Sequence, residues 1–81
     1  MGRYTVTITN DRFSDSGEQD APNVTKAWQR ALTSAITIAG EHIAYGNPFF
    51  GAVVTLEEGG NLLGRYVVSV GATALSEEGA S

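Results

Sequence analysis

The chain has 81 residues, no cysteine and only 17% charged residues, with five basic and nine acidic side chains for a net charge of −4. That length fits one domain, and it buries only roughly 60% of the surface its unfolded form exposes. No disulfide framework or cysteine-based zinc site can supplement the core, and the acidic balance argues against binding a phosphate backbone. The 42% hydrophobic content is enough for a folded domain, so wholesale disorder is not expected.

The first residues, Met1-Gly2-Arg3-Tyr4-Thr5-Val6, enter an alternating pattern with no apolar signal-peptide core. Val6 stands where a myristoylation signal requires Ser or Thr. No uncharged apolar run approaches the roughly 18 residues of a membrane span. The expected location is the cytoplasm, with no membrane contact.

The first predicted strand is Arg3 to Thr9. Tyr4, Val6 and Ile8 share one face, and Arg3, Thr5, Thr7 and Thr9 share the other, a period of two rich in β-formers. Asn10 to Asp20 reads as a polar loop around Asp15-Ser16-Gly17, with Phe13 its one large apolar residue.

A helix is predicted from about Asn23 to Tyr45, capped by Asp20 or Asn23, with Pro22 near its first turn. Val24, Ala27, Trp28, Ala31, Leu32, Ala35, Ile36, Ala39 and Ile43 recur at three- and four-residue steps and form its apolar half. The alanines allow close approach to a sheet. Gly46 suits a left-handed cap, and Pro48 prevents continuation.

Two strands close the domain, Phe49 to Glu57 and Leu62 to Val70, joined by a turn at Glu58-Gly59-Gly60-Asn61. Phe50, Ala52, Val54 and Leu56 face the helix, as do Tyr66, Val68 and Val70. Gly51 and Gly64 mark bulges or the close approach of another backbone. The order is β-α-β-β over residues 1–75, with a flexible acidic tail over 76–81. The expected fold class is a small α+β domain, one long helix on one face of a three-stranded, mainly antiparallel sheet. The half-ferredoxin-like strand order 1-3-2 is preferred, and an order with the third strand outermost is the alternative.

One sheet face is thereby left open. It carries Arg3, Thr5, Thr7, Thr9, Phe49, Val53, Thr55, Leu63, Arg65 and Val67. A mixed face of this kind, on a domain too small to bury everything, points to contact with a second copy or with another protein.

Residues that support catalysis are few. His42 is the one histidine and falls on the buried side of the helix, so it reads as a packed residue near the C-terminus. No serine has a nucleophile-elbow context, and no glycine pattern makes a phosphate cradle. Asp11, Asp15, Glu18 and Asp20 crowd one segment, but Phe13 breaks any calcium-loop spacing. The chain is therefore expected to be no enzyme and to use no metal or cofactor.

The expected function is a non-catalytic acidic protein-interaction module acting as a homodimer. Asp11, Asp15, Glu18, Asp20, Glu57 and Glu58 would meet a basic partner surface, and Phe49, Val53, Arg65 and Val67 would supply the sheet contacts. Small acidic β-α-β-β chains of this type resemble accessory and phage-type proteins, including inhibitors of nucleic-acid-binding defence complexes, although no motif identifies a family. The alternative is a small-ligand or nucleotide binder, using Arg3, Arg65 and the threonines of the open face or a dimer interface.

Overall fold

A computed structural model describes residues 2–76. Four strands and one helix follow one another as β1 (Gly2–Thr9), β2 (Ser14–Ala21), α1 (Val24–Ala44), β3 (Phe49–Glu58) and β4 (Asn61–Gly71). They form one helix layer on one antiparallel sheet of order β2-β1-β3-β4.

The expected three strands are four. Residues 10–20 are not a loop: β1 turns back on itself, and β2 pairs with it along its whole length, from Gly2 opposite Ala21 to Thr9 opposite Ser14. The turn is closed by Asn10, whose Oδ1 accepts from the amides of Arg12 at 2.8 Å and Phe13 at 3.0 Å. Asn10 N–H donates to the Phe13 carbonyl at 2.9 Å. Local side-chain acceptors of this kind stabilise tight reversals.

The extra hairpin also corrects the strand order. It reverses the chain before the helix, so β3 returns beside β1 and antiparallel to it. A parallel first pair with the last strand inserted between does not form. β4 lies outermost, as the alternative order had it, and β2 and β3 run the same way on either side of β1. The expected acidic tail lies outside the described residues except for Ser76.

The helix is fixed at both ends. Asn23 is the N-cap, its side chain accepting from Lys26 N–H at 2.9 Å. At the other end Gly46 has φ +96°, and its N–H bonds the Ile43 carbonyl while that of Asn47 bonds His42, which makes a Schellman closure. The last hairpin turns on Gly59 and Gly60, both at positive φ, between the paired residues Glu58 and Asn61.

Ala27, Ala31, Ala35 and Ala39 are fully buried against the sheet. They meet the even-numbered residues of the central strands: Tyr4 and Ile8 of β1, and Phe50, Ala52, Val54 and Leu56 of β3. The helix thus lies over β1 and β3. Toward β2, Gln19 donates to the Ala27 carbonyl at 2.9 Å and the Arg30 guanidinium donates to the Asp20 carbonyl. Toward β4 the cover thins. Tyr66, expected in the core, is 46% exposed, and Ile36 on the adjoining helix flank is 56% exposed.

Candidate functional site

The side of the sheet away from the helix is uncovered. Because side chains alternate along a strand, the odd-numbered residues of β1, β3 and the upper part of β4 share it with the even-numbered residues of β2. The register arranges them in rows. Glu18, Thr5 and Glu57 form one; Ser16, Thr7, Thr55 and Arg65 the next; Ser14, Thr9, Val53 and Val67 the third. Asp20 lies opposite Arg3 at the end of the sheet where β1 begins, and Phe49 lies at the far end of β3.

Two chemistries divide this face. On the β2–β1 half, hydroxyls pair across the strands: Thr7 with Ser16 and Thr9 with Ser14, both at 2.9 Å. Arg3 forms an ion pair with Glu18 at 3.4 Å. On the β3–β4 half, Val53, Phe49 and Val67 are 38%, 64% and 76% exposed. A polar half with most of its pairs made therefore adjoins one on which Val53, Val67 and Phe49 stand uncovered among Thr55, Arg65 and Glu57. A β-bulge where Leu56 and Glu57 face Gly64 and Leu62 adds Leu62 and Leu63 to the exposed apolar side chains of β4.

The predicted partner-binding residues separate accordingly. Phe49, Val53, Arg65 and Val67 do share the open face. The acids do not form one patch. Asp11 sits in the β1–β2 turn, at the opposite end of the sheet from Glu18, Asp20 and Glu57. Asp15 pairs with Ile8 and so belongs to the helix side, where it lines a shallow groove with Val6, Ser34 and Ile38. Glu58 also turns to the helix side, its carboxylate beside the Tyr4 hydroxyl and the Gly2 backbone. Glu18, Asp20 and Glu57 remain as an acidic end of the open face. Strand alternation inside a segment read as a loop is the reason for the split.

Ser14 and Ser16 were not singled out from the sequence as face residues. The signal was present, since Ser14, Ser16 and Glu18 alternate as Thr5, Thr7 and Thr9 do, but without a β-former to mark a strand.

His42 is the other residue with chemical capacity. Its Nδ1 lies 3.1 Å from the Ile38 carbonyl, and a carbonyl only accepts, so Nδ1 carries the proton of this bond and Nε2 is the free ring position. The ring packs against Phe13, at 6.2 Å between centroids, and Phe50, at 5.0 Å, which also meet each other at 6.4 Å. Beside it, Asn10, Asp11, Arg12 and Asn47 border a cleft of about 210 Å³. No serine or carboxylate hydrogen-bonds the ring among the described residues, and the ring packs with Phe13 and Phe50 at the end of the core. Among the same residues no three His, Asp or Glu side chains converge as metal ligands, and no helix is long and apolar enough to cross a membrane.

Compared with protein-family models, curated proteins and solved structures, the chain finds no match in any of the three.

Proposed function

We propose that this protein is a non-catalytic binding module, working as a homodimer, whose open sheet face docks a second protein with a basic surface. The observation that carries the reading is the division of that face. Thr7 with Ser16, Thr9 with Ser14 and Arg3 with Glu18 already pair, whereas Val53 and Val67 stand uncovered in the middle of the face, with Glu18, Asp20 and Glu57 toward one end and Phe49 at the other. An apolar centre with a charged rim is the anatomy of a protein contact.

The carboxylates supply direction more than affinity. Complementary charge raises the encounter rate and excludes wrong partners, and it does so less at high salt. A partner that itself holds nucleic acid presents a basic groove of the required sign, which keeps inhibition of such a complex within this reading.

The test compares capture by the wild-type chain with capture by Val53→Lys, by Glu57→Lys and by Thr33→Glu on the outer face of α1. A protein held by the wild type and by Thr33→Glu but released by both face variants supports the proposal. Equal retention by all four chains contradicts it. Thermal stabilisation by a nucleotide or metabolite that disappears in Arg65→Ala would replace it with the small-ligand reading.

A further inference from the structure

We infer that β4 is completed by β4 of a second copy, in an antiparallel pair centred on Val67, so that two sheets join into one of eight strands. This rests on the homodimer part of the proposed function, but not on the docking of another protein.

The two edges of the sheet differ in how they are protected. β2 is short and polar, and it carries Asp15, Glu18 and Asp20, which repel the same edge of another copy. β4 has 11 residues, contains no proline or lysine, and has Arg65 as its one charged side chain. Long edge strands without charge or proline are the ones that pair with another chain.

The hydrogen-bond phase shows which groups are free to do so. Ala72 N–H donates to the Pro48 carbonyl at 2.8 Å, and the β3–β4 register continues from that pair. In an antiparallel ladder, directly opposite residues alternate between bonded and non-bonded pairs. Val70, Val68 and Tyr66 therefore spend their amides and carbonyls on Phe50, Ala52 and Val54. Those of Arg65, Val67 and Ser69 point outward from the sheet.

A two-fold axis through Val67 matches these outward groups to themselves. Val67 then faces Val67 of the copy, and Arg65 faces Ser69 of the copy on either side. Three pairs exchanging two bonds each give about six main-chain hydrogen bonds. The open face gains an unbroken row of Val53, Val67 and their two symmetry mates. On the helix side Tyr66 faces Val68 of the copy, an aromatic and β-branched combination favoured across strands. Moving the axis to Arg65 would set two guanidiniums directly opposite each other, which disfavours that register.

The same axis accounts for the thin cover over β4. It is perpendicular to the sheet, so both helices stay on one side. Leu32 and Ile36 continue the row begun by Trp28, whose ring meets Tyr66 at a tilt. In the joined sheet these flanks face each other above the paired β4 strands.

The measurement is mass by light scattering, from low to high micromolar concentration, for the wild type, Val67→Pro, Val67→Arg and Val53→Lys. Proline at 67 removes only an outward amide and so spares the β3–β4 ladder. Arginine there replaces a side chain that is 76% exposed. The expected mass is twice 8.5 kDa, about 17 kDa, for the wild type and Val53→Lys, falling to 8.5 kDa for folded Val67→Pro and Val67→Arg. A wild type that stays at 8.5 kDa, or a Val67→Pro that remains dimeric, overturns the inference. Should Val67→Pro fail to fold, Val67→Arg decides. A monomeric wild type whose capture is still lost in Val53→Lys and Glu57→Lys leaves the docking reading intact, and a dimer with unchanged capture in those variants removes only the docking reading.

Discussion

Trp28 lies against Tyr66 with ring centroids 4.3 Å apart and planes tilted by 59°. That contact is the main aromatic link between α1 and β4, and it depends on the missing side chain at Gly64. A Cβ at Gly64 would stand 3.2 Å from Trp28 Cζ2. Gly64→Ala must therefore displace the indole. The gain from a stiffer unfolded chain is outweighed, for a net loss of about 0.5–1 kcal/mol. Thermal denaturation should show a lower midpoint, and the emission of the single tryptophan should move to the red. An alanine variant more stable than wild type would show that the ring yields without cost.

Val54 and Leu56 are the largest fully buried side chains and sit in the centre of β3. Leu56→Ala removes packing against Tyr4, Ala21 and Ala27, and should cost about 2–4 kcal/mol in urea denaturation. Val67→Ala, on the same sheet but 76% exposed, should change the stability of the monomer by less than about 0.5 kcal/mol. Similar losses at both sites would contradict the one-sided core.

The β1–β2 hairpin depends on Asn10, and the helix start on Asn23. Each accepts backbone N–H donors that have no other partner at a turn or helix end. Asn10→Ala and Asn23→Ala should each cost about 1 kcal/mol. Amide exchange should separate them, with protection lost in β2 for the first and in the first turn of α1 for the second.

The Arg3–Glu18 ion pair is 3.4 Å long, with its side chains 69% and 59% exposed. Exposed pairs contribute about 0–1 kcal/mol and are screened by salt. Arg3→Ala should therefore leave the denaturation midpoint almost unchanged while making the acidic end more negative. A large loss of stability in this variant would mean that the pair anchors β2.

The elements with strong periodicity were legible in the sequence. Tyr4, Val6 and Ile8 mark β1, the alanine stripe marks α1, and the Gly59-Gly60 turn fixes the β3–β4 hairpin. β2 was not legible, because Ser14-Asp15-Ser16-Gly17-Glu18-Gln19-Asp20-Ala21 contains no β-branched or aromatic residue. Its extended form comes from pairing with the free edge of β1, a tertiary effect that overrides local propensity. Missing it misplaced the strand order, since one added reversal changes the direction in which the helix leaves. The open face was read correctly at Val53, Arg65 and Val67, whose phase needs only alternation. The acids, read as lying in a loop and a turn, divide between the two sides of the sheet because Asp15 and Glu58 turn to the helix side.

The uncovered side of β4 is tested most directly by residue-resolved amide hydrogen exchange at two protein concentrations. The amides of Tyr66, Val68 and Val70 should be protected at both, since they bond β3. Those of Arg65, Val67 and Ser69 should exchange freely when dilute and become protected when concentrated, as the second copy pairs with them. Odd-numbered amides that exchange at the unprotected rate at both concentrations would contradict a β4 edge closed by another chain.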